Sequence, residues 1–160
     1  MKFKEIKSSF KLYCDLDGVL SNFDKGVEDA LNGVSRDNIS NTKLWKTLAR
    51  TSNFYGNLEW MQDGKILWNY IKKYNPTILS GLPLGNWAAR QKDRWVTNNL
   101  GKNVPRVFVL TVNKYLESAP GHILIDDREK TKSSWESKGG IFILHTSTEK
   151  TINDLKELNL

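Results

Sequence analysis

Between residues 77 and 145 one pattern keeps returning: a short apolar run, a polar residue at or just past its end, then the next segment. The runs are TILS (77–80), VFVLT (107–111), HILID (122–126) and IFILH (141–145). Each has the length of a strand, and each is apolar almost throughout, as a strand covered on both faces must be. FKLYC (10–14) adds one more at the start. Helical spacing is expected at 86–99, at about 129–138 and at about 149–158. Gly101 stops the first of these and Gly139-Gly140 follows the second. Strands alternating with helices bury themselves best as a parallel α/β sheet with helices on both faces, in the Rossmann-like manner.

Residues 21–75 break the alternation. Phe23, Val27, Ala30 and Leu31 predict a helix over 22–32, and Leu44, Trp45 and Leu48 another over about 41–50. The irregular, aromatic TSNFYGNLEWMQDG follows. A helix over about 63–74 then runs to Asn75-Pro76, where proline disfavours helix in the residue before it. The expected organisation is a Rossmann-like core of 1–20 and 76–160, with 21–75 as a small helical cap insert over the sheet edge.

Composition narrows the chemistry. At 160 residues the chain has the length of one ordinary domain. No apolar run approaches the ~18 residues of a membrane span, and MKFKEIKSSFK has no apolar leader core. One cysteine, Cys14, precludes an internal disulfide and fits the cytoplasm. Cys14, His122 and His145 are too few for a typical structural zinc site, which leaves oxygen-ligated metals. The net charge of +6 favours anionic partners such as nucleotides, nucleic acid or phosphate esters, or serves solubility alone. The basic residues are scattered, which disfavours a dedicated nucleic-acid tail.

Ligands of open α/β sheets sit beyond the carboxyl ends of the strands. Those ends carry Asp15 and Asp17, then Ser80 and Gly81, then Thr111, Asn113 and Lys114, then Asp126 and Asp127. The set suits phosphate esters. Carboxylates bind Mg²⁺, and a divalent cation offsets the charge that repels nucleophiles from phosphorus. A carboxylate attacks phosphorus directly, and a second protonates the leaving oxygen and then activates water. An ammonium, a hydroxyl and backbone N–H groups hold the phosphoryl oxygens. Lys114, Ser80 and Gly81 offer these.

In order and type these residues resemble the haloacid-dehalogenase superfamily of phosphotransferases. DLDGVL (15–20), ILSG (78–81), Lys114 and ILIDDR (123–128) are similar to its four motifs. The resemblance implies Asp15 as nucleophile, Asp17 as acid/base, and Mg²⁺ held by Asp15, Asp126 and the backbone carbonyl of Asp17. Asp127 is then a ligand through water or a partner that orients the lysine. A looser likeness joins NFYGNLEWMQDG (53–64), QKDRWVTNNLG (91–101) and LIDDREKTKSSWESKGG (124–140) to the 5'(3')-deoxyribonucleotidases and related bacterial and phage phosphatases. It implies hydrolysis of (deoxy)nucleoside monophosphates.

Phe54 and Tyr55 are expected to touch a base, or to form the core of the insert. Trp68, Trp87 and Trp95 are expected to pack. Lys92, on the helix after ILSG, is a rival to Lys114 for the site lysine or else a solvated helix residue, with Lys114 favoured, and Arg128 either pairs with the acids or substrate or lies on the surface. Two other functions stay open: a phosphatase of polynucleotide 3' or 5' ends, and a non-catalytic nucleotide- or nucleic-acid-binding protein on the same fold.

Overall fold

The computed structural model describes residues 9–160. Its strands are β1 (Lys11–Cys14), β2 (Thr77–Leu82), β3 (Arg106–Leu110), β4 (His122–Asp126) and β5 (Ile141–Leu144). They form one sheet in the order β3-β2-β1-β4-β5, with every neighbouring pair parallel. The chain therefore leaves β1 for β2 on one side and reaches β4 on the other. A crevice opens at that reversal, above the carboxyl end of β1.

The helices are α1 (Phe23–Ala30), α2 (Asn41–Arg50), α3 (Gly64–Ile71), α4 (Ala88–Asn99), α5 (Lys132–Ser137) and α6 (Thr148–Glu157). Alternating strand residues divide the apolar side chains between two layers. Leu12, Cys14, Ile78, Ile123 and Ile125 join a large cluster with Leu67 of α3, Trp95 of α4 and Leu155 of α6. Tyr13, Leu79 and Leu124 face the other way, onto Trp135 of α5. The expected α/β sheet with helices on both faces is the observed fold. Its second face is the thinner, since α5 is six residues long.

Segment 21–75 is continuous with this core. Leu44, Leu48, Phe54 and Tyr55 belong to the same apolar cluster as Ile78 and Ile123. Its start is tied to the stretch before α3 where the Met61 N–H donates to the Leu20 carbonyl (2.7 Å) and the Asn22 N–H to the Glu59 carbonyl (2.8 Å). α3 packs against α6, and the Tyr70 hydroxyl donates to the Leu160 carbonyl at 2.9 Å.

Element boundaries depart from the sequence expectation where turns tighten. The helix expected to reach 74 ends at Ile71 and continues as a 3₁₀ turn, Lys72–Tyr74, into Asn75 at φ +49°. A tightened last turn with a left-handed cap is a common way to satisfy terminal carbonyls before a proline. The segment expected as helix from 129 opens as a 3₁₀ turn, Glu129–Thr131. A longer 3₁₀ segment, Thr111–Glu117, follows β3. The apolar residues of TVNKYLE do not announce its orientation: Val112 and Leu116 stay exposed while Lys114 turns inward. Among the described residues no helix is long and apolar enough to cross a membrane.

Candidate active site

Parallel pairing of β1 with β4 sets Cys14 beside Ile125, and the Asp15 N–H extends the ladder by donating to the Ile125 carbonyl at 3.0 Å. Asp15 and Asp126 thus emerge side by side at the crevice. Lys114 reaches both from the turn after β3: its Nζ is 3.2 Å from Asp15 Oδ1 and 2.8 Å from Asp126 Oδ2. All three residues are buried, at 4%, 2% and 0% exposure for Asp15, Lys114 and Asp126. Backbone donors fix the carboxylates. The Leu16 N–H donates to Asp15 Oδ1 at 2.8 Å, and the Arg128 N–H to Asp126 Oδ1 at 2.9 Å.

The loop after β1 is built for close approach. The N–H groups of Val19, Leu20 and Ser21 all converge on the Leu16 carbonyl, at 2.8–3.0 Å. Leu16, Val19 and Leu20 anchor the turn in the core. Gly18 has φ +81°, and a Cβ there would collide with the Asp127 carboxylate. Glycine is required twice over: for the left-handed backbone and for room beside Asp127.

Asp15, Asp126 and Asp127 each offer an oxygen, and these oxygens lie within 4.8 Å of one another. One ammonium cannot neutralise three carboxylates so close together. Burial, opposed by Lys114 and reinforced by the neighbouring acids, pushes the Asp15 carboxyl up to about 8. Partial desolvation at the cavity edge and the charge of Asp126 push Asp127 up to about 6. Burial pulls the Lys114 ammonium down, but Asp15 and Asp126 more than offset it and hold it above its ordinary value. Carboxylates that resist ionising together, with oxygen-only donors, fit a small hard divalent cation such as Mg²⁺. Asp17 was expected to contribute its backbone carbonyl; its side chain lies outside this cluster and has other partners.

Those partners are the part that sequence reasoning missed. Asp17 Oδ1 accepts from the Ser21 hydroxyl at 3.1 Å, and Oδ2 accepts from Lys92 Nζ at 2.7 Å. Lys92 is 1% exposed, which corrects its expected place on a solvated helix surface. The same ammonium donates to Ser80 Oγ at 2.8 Å and to the Gly81 carbonyl at 2.7 Å, and lies 4.5 Å from the centre of the Tyr55 ring. A signal was present in the sequence: Ala88, Lys92, Trp95 and Val96 share the buried face of α4 at helical spacing.

A cavity of about 330 Å³ opens over these groups, lined by Asp15, Asp17, Gly81, Lys114, Asp127 and Arg128, with Arg36 at the segment 21–75 side. Ser80 is fully buried beneath it and is not among its lining residues. A smaller recess of about 100 Å³ shares Asp17, Phe23, Gly81 and Arg128 with it and adds Trp45 and Tyr55. Tyr55 therefore borders the site. Phe54 lines neither space and packs edge-on against Phe23, with ring centres 5.8 Å apart. Trp95 is buried and donates to the Leu58 carbonyl at 2.8 Å, a packing role as expected.

No family profile and no curated protein matches the sequence. Solved structures do match in fold. A HAD-superfamily hydrolase from Ehrlichia chaffeensis superposes with a TM-score of 0.59 at 13% identity, covering 94% of this chain and 97% of that one. A haloacid dehalogenase-like family hydrolase from Streptococcus pneumoniae gives 0.59 at 10% identity, covering 92% and 91%. A HAD-superfamily hydrolase of subfamily IA from Geobacter sulfurreducens gives 0.53 at 14% identity, covering 92% and 100%. At such identities the likeness establishes the fold, which is haloacid dehalogenase-like.

Proposed function

We propose that this chain is a cytoplasmic, Mg²⁺-dependent phosphomonoesterase that hydrolyses (deoxy)nucleoside monophosphates through an aspartyl-phosphate. The observation that carries the reading is the meeting of Asp15, Asp17, Lys114 and Asp127 around one cavity, with the buried Asp126 paired to Lys114 and grouped with Asp15 and Asp127. The haloacid dehalogenase-like fold supports it.

In this reading an Asp15 oxygen attacks phosphorus. The bond from phosphorus to the ester oxygen breaks, and its electron pair leaves with that oxygen, which takes a proton from Asp17. Asp17, now a carboxylate, takes a proton from water as the water oxygen attacks the acyl phosphate. Inorganic phosphate departs and the Asp15 carboxylate is restored. Lys114 offsets charge on the transferred group. Asp15, Asp126 and Asp127 would hold the cation, with Asp17 adding its carbonyl; when bound, it neutralises the phosphoryl oxygens and polarises them. Phe23, Trp45 and Tyr55 border the recess next to Asp17, where a leaving nucleoside would lie, and aromatic rings there suit a nucleobase.

The test is phosphate release from ribo- and deoxynucleotides, sugar phosphates and phosphorylated oligonucleotides, in Mg²⁺ and in EDTA. Turnover of deoxynucleotides that EDTA abolishes supports the reading. Absence of release from every ester returns the chain to the non-catalytic binding proteins. A second reading, hydrolysis at polynucleotide ends, is favoured by Arg36 and Arg128, which both line the cavity and suit the next phosphate of a strand. A steep fall in oligonucleotide turnover with salt would select it.

A further inference from the structure

The buried lysine of α4 has no role in the chemistry set out so far. Lys92 is sequestered at the cost of a large desolvation, which a structural residue avoids by being apolar. Its ammonium is spent on three oxygens: Asp17 Oδ2, Ser80 Oγ and the Gly81 carbonyl, at 2.7, 2.8 and 2.7 Å. Two of those acceptors belong to the carboxyl end of β2, a rigid strand inside the sheet. The third is the one side chain of the set that faces the cavity from the loop after β1. The Tyr55 ring covers the ammonium from the remaining direction, 4.5 Å from its centre. Lys92 therefore joins the loop carboxylate of Asp17 to the end of β2. The Ser21 hydroxyl holds the other Asp17 oxygen at 3.1 Å, so rotation of the carboxylate is restrained at both atoms.

We propose that Lys92 is a positioning residue: it holds Asp17 Oδ2, so that Oδ1, the oxygen that carries the transferred proton, is aimed at the leaving-group oxygen, and Ser80 acts chiefly as the anchor of Lys92. The two lysines divide the work. Lys114 serves the nucleophile and the transferred group, and Lys92 serves proton transfer. The inference rests on the phosphatase reading and deepens it.

The test exploits leaving-group chemistry. An alkyl ester, such as a deoxynucleoside 5'-monophosphate, needs a proton as its oxygen departs. p-Nitrophenolate leaves without one. The ratio of kcat/KM for the two esters reports the proton delivery step and is insensitive to general damage. K92M should lower kcat/KM for the nucleotide by at least about a hundredfold, the scale of general acid catalysis. For p-nitrophenyl phosphate the loss should stay below about tenfold, because the proton is dispensable there. D17N should impose the same selectivity, and D17N/K92M should match D17N in the ratio, since residues that act as one unit are not additive. S80A retains both charges and should shift the ratio in the same direction by a smaller factor. If K92M does not fold, as judged by circular dichroism, the double variant and S80A carry the test. Equal losses on both esters in the folded variants overturn the role of Lys92. A wild-type chain that cleaves neither ester overturns the phosphatase reading instead.

Discussion

Asp15 shows how much one buried carboxyl can decide. D15N removes the nucleophile and should reduce turnover by at least about a thousandfold, in line with losses of catalytic nucleophiles elsewhere. Its melting temperature should stay within a few degrees of wild type, since the amide fills the same space and Lys114 keeps Asp126. The same residue sets a pH dependence. With Asp15 raised to about 8 from 3.8, the metal-free folded state holds a proton that the unfolded chain has lost. Stability is thus greatest below about pH 4 on this account and falls as pH rises toward 8. His145, lowered by burial from 6.5, acts in the opposite sense and only below that value. The window from 6.5 to 8 isolates Asp15. Thermal melts in EDTA should drop across it, and added Mg²⁺ should raise the melting temperature more at pH 8 than at pH 6.5. A metal-free melting temperature that rises across the window would contradict the burial argument. Gly18 gives a third check. G18A forces a side chain into φ +81° and against Asp127. It should cost about 1–3 kcal/mol in urea unfolding and weaken Mg²⁺ binding by calorimetry.

At the scale of elements, the thin face of the sheet hangs on α5. Its buried Trp135 meets Tyr13 edge-on, with ring centres 5.5 Å apart, and donates from Nε1 to the Ile141 carbonyl at 3.0 Å. The Trp135 carbonyl in turn accepts from the Ser118 hydroxyl at 2.6 Å, just past the turn that carries Lys114. W135A should therefore cost about 3–5 kcal/mol in urea unfolding, the range for emptying a large core site. Such strands were legible in sequence because β-structure buried on both faces must be apolar throughout. The Thr111–Glu117 turn was not legible, because its apolar Val112 and Leu116 stay exposed while its lysine is the buried residue. α4 lies between these cases. Its apolar spacing was visible, but a lysine on that face was read by its charge rather than by its position.

For the molecule as a whole, sheet order does the assembling. β1 lies between β2 and β4, so residues 15 and 126, and residues 80 and 81, meet around one crevice. The crossover from β1 to β2 carries segment 21–75, which brings Phe23, Trp45 and Tyr55 beside Asp17. Removing one of these rings should raise KM for nucleotides. W45A is the natural choice, because Trp45 is only half-buried and makes little of the core. An increase of about tenfold in KM would match the loss of one stacking contact of about 1–3 kcal/mol. Steady-state kinetics with deoxynucleotides checks it, and an unchanged KM would move the base elsewhere.

The sequence by itself determined the sheet and the acids at its edge, because covered strands must be apolar and a carboxylate ending such a strand needs a cation or an ammonium beside it. Only the tertiary structure decided who partners whom. It set Lys114 on Asp15 and Asp126, set Lys92 on Asp17 and Ser80, and turned Phe54 into packing while Tyr55 reached the site. The physical reason is that burial belongs to the assembled layers. A long polar side chain carries its charge wherever the sheet and helices leave an oxygen to receive it, and no spacing along the chain specifies that place.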